Sequence, residues 1–221
     1  MAPAAGPITR VTLSTQVAER LRDDVLSGAL GANTQLNEKE LAHAFGVSRG
    51  PLREAMQRLI QEGLLRSEPH RGVFVPELTE DDVADVYFVR AAVESAAVRR
   101  IVESEGRGEV AAALNGISDQ IDAAVRAGRW QDGSELDFAF HRTLVDAAGS
   151  KRLSRTYATV QAETRLCLRR LMGGYRRADD LAAEHARLAD LIDGAPLDAI
   201  LDELTRHFGD PIAALRRAEG R

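Results

Sequence analysis

Residues 45–65 of the chain read FGVSRGPLREAMQRLIQEGLL, and this stretch decides the fold of the first third of the protein. Ser48 is a residue type that caps helix N-termini, and Pro51 falls in the first turn, where its missing N–H is not needed. Apolar side chains recur every three or four residues, as in a helix with one buried face: Leu52, Ala55, Met56 and Leu59. The stretch therefore predicts a helix that follows Ser48 and packs one face on a core.

The first turn of this predicted helix is small and basic. Arg49 and Arg53 lie four residues apart, on a stripe beside the apolar one, and Gln57 continues that stripe. Gly50 keeps the turn narrow. A guanidinium can donate two parallel hydrogen bonds to a guanine edge or clamp a phosphate. Two arginines at this spacing also occur on ordinary solvated helix faces, so the pattern alone leaves DNA binding and a plain surface both open.

Two further helices are predicted before this helix and a β-hairpin after it. A first helix is predicted to begin after Ser14 and end near Ser27, and a short second helix to cover residues 37–45 and stop at Gly46. After Gly63 the spacing between apolar residues changes to two, as in a strand. The segments LLRSE and VFV, joined by the turn PHRG, therefore predict a hairpin. Three short helices followed by a two-stranded wing is the order of a winged helix-turn-helix DNA-binding domain.

From the sequence LTEDD onward the chain is predicted to be helical. Thr79, with Asp82 three residues later, has the spacing of a capping box. Breaks that contain glycine separate the expected helices, which lie near residues 80–104, 108–127, 131–148, 150–172, 177–193 and 196–217. The GDP at 209–211 is expected to bend or interrupt the last of these. The predicted fold class is mainly α: a winged helix-turn-helix domain over residues 1–76 and an antiparallel all-helical bundle of six to seven helices over residues 77–221.

The composition agrees with a packed, mainly helical protein. Of the 221 residues, 44% are hydrophobic, 29% are charged and only 5% are aromatic. The one cysteine, Cys167, cannot form an internal disulfide, and no apolar run is long enough to span a bilayer. We therefore expect a cytoplasmic protein without membrane contact. The net charge of −5 argues against a general nucleic-acid binder, but the first 75 residues carry a small basic excess and the remainder is acidic.

Three of the five histidines lie in the acidic part of the chain, and one of them follows an aspartate by four residues. Asp137 and His141 therefore share a helix face, and His185 and His207 lie on two later helices that a bundle can place opposite them. Three imidazoles with one carboxylate suit Zn, Ni, Mn or Fe and leave coordination positions open. Each histidine taken alone can equally be an ordinary helix residue.

The stretch NEKELAHAFGVSRGPLREAMQRLIQEGLL, with RGVFV after it, resembles the DNA-binding domain of the GntR family of bacterial transcription regulators. The likeness covers roughly residues 13–76, and GVSRGPLRE at 46–54 is close to a family signature. It implies binding of double-stranded DNA through the recognition helix and the wing, with contacts from Lys39, Ser48, Arg49, Gly50, Arg53, Arg71 and Gly72. His43 and His70 are then solvent or phosphate neighbours and not metal ligands.

The second part of the chain resembles the FCD ligand-binding domain of the FadR subfamily of GntR regulators. The likeness rests on RAAVE at 90–94, DFAFHRTLVDAAGSKRL at 137–153 and AAEHARL at 182–188. That family binds a metal through an aspartate, a histidine four residues later and two further histidines. The resemblance therefore implies a metal-binding member, and not a fatty-acyl-CoA-binding one, with the ligands Asp137, His141, His185 and His207.

The same resemblance implies a small carboxylic acid as effector, seated at the open coordination positions of the metal. A carboxylate there could also pair with an arginine. Arg90 is the leading candidate, and Arg165 and Arg169 are further candidates, although each could equally form a surface salt bridge. Two departures from the family pattern are Ser150, where asparagine is frequent, and the FGDP after His207, which puts the orientation of that histidine in question.

These features predict a transcriptional regulator, most simply a repressor, that binds a palindromic operator as a homodimer and responds to the effector. The alternative is a metal-responsive regulator in which the ion itself is the signal. An enzyme is the rival class, because such a metal site could activate water. The sequence contains no nucleophile motif and no glycine-rich phosphate loop, so an enzyme is not expected.

Overall fold

The computed structural model describes residues 12–171 and 178–218, with side chains described at 12–168 and 181–217. The chain forms two compact units that meet in sequence between Glu77 and Leu78. The first unit mixes helices with short strands: α1 Leu13–Ser27, β1 Gln35–Leu36, α2 Glu38–Ala44, α3 Arg49–Gln61, β2 Arg66–Glu68 and β3 Gly72–Phe74.

The core of the first unit lies between α1 and α3. The apolar stripes of the two helices face each other, and their leucines and valines are buried: Val17, Leu21, Val25, Leu52 and Leu59. Burial of each such side chain contributes about 1.5–3 kcal/mol relative to exposure. At the edge of this contact Arg22 donates to both carboxylate oxygens of Glu62, with distances of 2.8–3.0 Å. This pair fixes the end of α3 against α1.

The predicted hairpin is present, and a further strand extends it. The sheet order is β1-β3-β2, all antiparallel, with Val73 paired to Ser67 on one side and to Leu36 on the other. The sequence prediction missed β1 because two residues are too short to show an alternating pattern. It also placed the start of the first helix too late, since Thr12 caps α1 and Ser14 lies within it.

The second unit is helical along its described length: α4 Glu80–Val102, α5 Arg107–Arg126, α6 Trp130–Ala147, α7 Lys151–Leu171, α8 Ala178–Gly194, α9 Leu197–Phe208 and α10 Pro211–Ala218. The capping box at Thr79 and Asp82 is formed. Ser150 accepts a hydrogen bond from the Leu153 amide at the start of α7. The expected break near residues 172–177 lies outside the described residues.

The main core of this unit lies where α5, α6 and α8 meet, with α4 and α9 against them. Its buried side chains include Leu114, Phe140, Leu144, Leu188 and Ile192. The GDP sequence does interrupt the last predicted helix. Gly209 takes a φ of 59°, and the Asp210 side chain accepts from the Ala213 amide, so that α10 begins anew at Pro211.

In the part of the chain that the structure describes, no helix combines the length and the apolar character that a membrane crossing needs. The longest, α4, has 23 residues and carries several charged side chains.

Candidate metal centre and candidate nucleic-acid interface

The structure brings together the four side chains that were predicted as metal ligands. Asp137 and His141 lie one turn apart on α6, His185 lies on α8 and His207 lies in the last turn of α9. One nitrogen or oxygen atom from each residue falls within 4.8 Å of the other three. The interruption at Gly209 comes after His207 and leaves its imidazole directed at the other three groups.

The shortest separations join two pairs of these atoms. His141 Nε2 lies 2.9 Å from His207 Nε2, and His185 Nε2 lies 3.0 Å from Asp137 Oδ1. Two atoms that each lie about 2.1 Å from one ion, about 90° apart, are about 3.0 Å from one another. His141 Nε2 and Asp137 Oδ1 are 3.8 Å apart, which a wider angle at the same ion accommodates.

The hydrogen bonds on the far sides of the rings assign the tautomers. His141 Nδ1 lies 2.7 Å from Glu94 Oε2, and His185 Nδ1 lies 2.8 Å from the carbonyl oxygen of Leu181. Because both partners are acceptors, the ring proton of each histidine is assigned to Nδ1, and both Nε2 atoms carry bare lone pairs. His185 Nε2 is buried, and no described residue forms a hydrogen bond with it. The lone pairs of these nitrogens therefore face the negative carboxylate of Asp137 and repel it. A cation placed between them would attract both the nitrogens and the carboxylate.

Glu94 holds His141 from behind and is itself fully buried on α4. Its Oε1 accepts from Arg90 Nε at 2.8 Å and from the Tyr157 hydroxyl at 2.9 Å, while Oε2 accepts from His141. A carboxylate behind a ligating imidazole fixes its ring orientation and raises its basicity. The sequence pattern pointed to Arg90 but not to Glu94 or Tyr157. The position of Glu94, one helical turn after Arg90, was the signal available.

Burial and nearby charge together set the ionisation of the three groups at the centre of this arrangement. Burial and the nearby charge of Arg90 lower the pKa of His141 well below its usual value, which keeps its imidazole neutral. Burial also lowers the pKa of His207. Burial opposes ionisation of Asp137, but the positive charge of the nearby Arg90 favours it and lowers the pKa of this carboxyl. Neutral imidazoles and an ionised carboxylate are the forms that bind a metal.

The residues present thus fit a divalent transition metal. Three imidazoles and one carboxylate are the donor types that such ions take from proteins, and the other ring nitrogen of His141 has the carboxylate support that metal sites use. His207 Nδ1 also lies 3.5 Å from Glu184 Oε2. A bound ion would act as a Lewis acid that accepts an oxygen ligand at any position the protein leaves open.

Arg90, the leading effector candidate, is almost completely buried beside the cluster, with 4% of its side chain exposed. Its guanidinium carbon lies 4.8 Å from the centroid of the Phe208 ring, which directly follows His207. The charge of Arg90 influences the pKa values of Asp137, His141 and His207. Arg90 is therefore near enough to act on whatever binds at the cluster.

Arg165, the second effector candidate, is engaged elsewhere. Both of its terminal nitrogens donate to the carboxylate of Glu135, at 2.5 and 2.7 Å, and its guanidinium lies 3.9 Å from the centroid of the Phe138 ring. Glu135 is more than half exposed, so this pair belongs to the outer surface of α6 and α7. The side chain of Arg169 lies outside the described side chains.

The predicted recognition helix presents its basic turn to solvent. Arg49, Gly50 and Arg53 are exposed, while the apolar stripe of α3 is buried. Ser48 is the N-cap residue, but within the described residues its hydroxyl makes no capping hydrogen bond. The N–H groups of the first turn are thus free to donate to an anion such as phosphate. Arg53 Nε lies 2.8 Å from Glu38 Oε2 on α2, an exposed pair that holds Arg53 across the turn.

The wing carries the remaining predicted DNA contacts. Arg71 and Gly72 are exposed at its turn, and Lys39 is exposed on α2. Arg71 forms an ion pair with Glu68 and lies 5.5 Å from the centroid of the Phe74 ring. Gly72 takes a φ of 102°, which disfavours any other residue there.

A glutamine that the sequence analysis missed fixes this turn. Gln35 on β1 donates from Nε2 to the carbonyl oxygen of Arg71 at 2.5 Å. The other two histidines, His43 on α2 and His70 in the wing turn, are exposed, as the sequence indicated.

Comparison with known proteins agrees with both units. The profile described as bacterial regulatory proteins, gntR family, matches residues 13–75, and the profile of the FCD domain matches residues 85–210. The gluconate operon transcriptional repressor of Bacillus licheniformis is 27% identical over 211 residues, which are 92% of this chain and 85% of that protein. The probable D-xylose utilization operon transcriptional repressor of Paenarthrobacter nicotinovorans is 26% identical over 213 residues, 96% of this chain and 93% of that protein.

A solved structure gives the same result at the level of the fold. The crystal structure of a GntR transcriptional regulator from Rhodococcus sp. RHA1 has a TM-score of 0.74 and 26% sequence identity, and the match covers 91% of this chain and 96% of that one. The chain therefore belongs to the GntR family of bacterial regulatory proteins, in the form that carries an FCD domain. It is a DNA-binding transcriptional regulator and not an enzyme, and the predicted family and fold class are confirmed.

The buried Glu94 network makes a prediction for stability. Replacing Glu94 by Ala leaves the Arg90 guanidinium buried without its partner, which we expect to cost about 3–5 kcal/mol in the free energy of unfolding. Tyr157→Phe removes one hydrogen bond to a charged group and should cost about 1.5–3 kcal/mol. Urea unfolding followed by fluorescence of the one tryptophan, Trp130, reports on this unit.

The matched control is an ion pair on the surface of the same unit. Arg142 Nε lies 2.8 Å from Asp146 Oδ2, and both side chains are exposed. Asp146→Ala should therefore change the free energy of unfolding by less than about 1 kcal/mol. Equal effects of the Glu94 and Asp146 substitutions would contradict a structural role for the buried network.

Proposed function

We propose that this regulator is a repressor whose affinity for its operator is controlled by a small organic acid, bound at a divalent metal in the second unit. The observation that carries the proposal is the convergence of Asp137, His141, His185 and His207, with bare nitrogens facing a carboxylate in a buried site. A buried nitrogen lone pair such as that of His185 Nε2, facing a carboxylate without a donor, is costly unless a cation satisfies it. The metal would be Zn, Ni, Mn or Fe, which share these donor types.

The DNA-reading part of the proposal rests on α3. Its narrow first turn can enter the major groove, with the free N–H groups on phosphate and Arg49 directed at a base edge. Lys39 and the wing residues Arg71 and Gly72 would contact the backbone on either side. These side chains are all exposed, and the protein would act in the cytoplasm, where the DNA lies.

The effector part of the proposal rests on Arg90. A carboxylate that takes an open coordination position could also accept from this buried guanidinium, whose charge already acts on the cluster. The related proteins named above repress a gluconate operon and, as a probable assignment, a D-xylose utilization operon. Both names favour repression, and the first of them favours a sugar acid among the carboxylic acids. Arg165 is the weaker candidate because Glu135 already occupies both of its terminal nitrogens.

A regulator of this kind would bind a palindromic operator as a homodimer, because two recognition helices about one helical turn apart read two half-sites. The effector controls the operator only if the free and the effector-bound protein differ in DNA affinity. The alternative, a regulator that senses the ion itself, requires reversible release of metal. Burial of His141 and His185, with Glu94 behind the former, favours an ion that stays bound.

Arg49→Ala tests the proposed contact of α3 with DNA bases. If Arg49 donates two hydrogen bonds to a base, the substitution should weaken binding about 5- to 150-fold, the equivalent of about 1–3 kcal/mol. The measurement is a titration at fixed salt of a duplex that the wild-type protein selects from a random-sequence pool. Arg20→Ala on α1, exposed and paired with Asp24, is the matched control and should leave the affinity nearly unchanged. An unaltered affinity for the Arg49 variant would remove it from the base-reading residues.

His185→Ala tests the metal centre. Loss of one of four ligands should lower the metal content of the dialysed protein from about one ion per chain to a small fraction, because three remaining ligands hold the ion less tightly. Metal content is measured by mass spectrometry of the digested protein. His43→Ala, an exposed histidine of the other unit, should keep its metal. Stoichiometric metal in the His185 variant would refute the ligand assignment.

A thermal-melt screen tests the proposed function as a whole. The full chain is melted against sugar acids, hydroxy acids and dicarboxylates, with and without a chelator, because a ligand of the native state raises the melting temperature by mass action. We expect at least one acid to raise the melting temperature, and the chelator to abolish that rise. The same acid should release the protein from its operator. Arg90→Lys keeps the positive charge but loses the planar guanidinium that can donate two parallel hydrogen bonds. It should therefore weaken binding of that acid more than it weakens metal binding. A metal-loaded protein with no hit would favour the metal-sensing alternative.

A further inference from the structure

The turn of the wing has a backbone conformation that its own residue types do not favour. This wing turn, residues 68–72, joins the end of β2 to the start of β3. His70 takes a φ of 61° and Gly72 takes a φ of 102°. Glycine adopts such angles readily, but a residue with a Cβ atom does so at a cost in free energy. Pro69 followed by a positive φ matches a type II turn, which favours glycine where this chain has His70.

A contact from outside the hairpin holds this turn. It comes from β1, which lies on the other side of β3 from β2. Gln35 donates from Nε2 to the carbonyl oxygen of Arg71 at 2.5 Å, and Arg71 lies between the two residues with positive φ. A Cβ atom at position 72 would lie only 3.3 Å from the same nitrogen, so this approach of Gln35 also depends on Gly72. The hydrogen bond therefore fixes the backbone at the most demanding point of the wing turn.

The side chain of Arg71 is oriented as well. It forms an ion pair with Glu68, and its guanidinium carbon lies 5.5 Å from the centroid of the Phe74 ring. Arg66 pairs with the same carboxylate and lies 5.3 Å from the same ring centroid. Even so, 71% of the Arg71 side chain is exposed. Arg71 thus presents its charge to solvent from a backbone and a side chain that are both held in advance, which lowers the entropy lost on binding.

We propose that Gln35 is a positioning residue for DNA binding, because its hydrogen bond holds the wing turn in the conformation in which Arg71 meets a phosphate. The inference rests on the proposed contact of the wing with the DNA backbone and adds to it the residue that fixes the geometry of that contact. Without the hydrogen bond, the turn adopts further conformations that move Arg71 away from the phosphate. More conformational freedom is then lost when DNA binds.

The salt dependence of DNA affinity separates this role from a direct contact of Gln35 with DNA. An uncharged side chain that touches DNA by itself contributes to the affinity but releases no counterion. A side chain that positions Arg71 influences both, because a displaced Arg71 no longer neutralises a phosphate and releases its counterion. Substitution of the uncharged Gln35 should therefore change the salt dependence as if a positive charge had been removed.

The first experiment titrates the full chain with the duplex that the wild-type protein selects from a random-sequence pool, at several salt concentrations. Gln35→Met keeps the length of the side chain but loses the donor, so the affinity should fall about 3- to 10-fold. The slope of log affinity against log salt should become shallower by about one, as it should for Arg71→Ala. Gln120→Met is the matched control, because Gln120 is also exposed and donates to a backbone carbonyl, that of Gly116 on α5, at 3.0 Å. It should change neither quantity.

The second experiment combines Gln35→Met with Arg71→Ala. If Gln35 acts through Arg71, the double variant should bind within about twofold of Arg71→Ala alone, because two changes to one contact do not add. Additive losses would overturn the proposal, and so would an unchanged affinity or salt slope for Gln35→Met beside a weakened Arg71→Ala.

A further outcome concerns the wing contact itself. If Arg71→Ala binds as the wild type does, the proposed contact of the wing with DNA is wrong and the role of Gln35 is overturned with it. The two failures therefore give different patterns. Both Gln35 and Arg71 are exposed, so the variants should fold, and their melting temperatures check this.

Discussion

The buried carboxylate of Glu94 is the interaction on which the second unit depends. It lies on α4, accepts from Arg90 on the same helix and from Tyr157 on α7, and orients His141 on α6. An ionised group without solvent is tolerated only when donors surround it. Three donors on two oxygens meet that condition, and they join three helices at one point. The tautomer of His141, and so the direction of its free lone pair, follows from this single contact.

Helix α4 is also the element that could carry a signal. Its buried face carries Arg90 and Glu94, which support the metal centre. A change in what Arg90 binds would alter the packing of this face. Coupling between an effector and DNA requires an element whose position both events influence. Arg90 also packs against the ring of Phe208, which directly follows the predicted ligand His207.

Much of the fold followed from local signals in the sequence. The capping box at Thr79 and the apolar stripe of α3 both lie where the residue types required them. The failures were also local. The strand β1 has only two residues, too few for a repeat, and Thr12 and Ser14 are both good caps, so the sequence did not separate them. Gln35 acts on the wing through a partner 36 residues away, which no local pattern contains.

The sequence by itself determined the order of the elements, the shared face of Asp137 and His141, and the basic first turn of α3, because each depends on spacing within one helix. Only the tertiary structure decided that His185 and His207 meet that face, that Arg165 is bound by Glu135 while Arg90 is buried at the centre, and that Glu94 supports the site. These contacts join residues 47 and 66 positions apart in the cases of Glu94–His141 and His141–His207. Helix packing, and not the helical repeat, sets such distances.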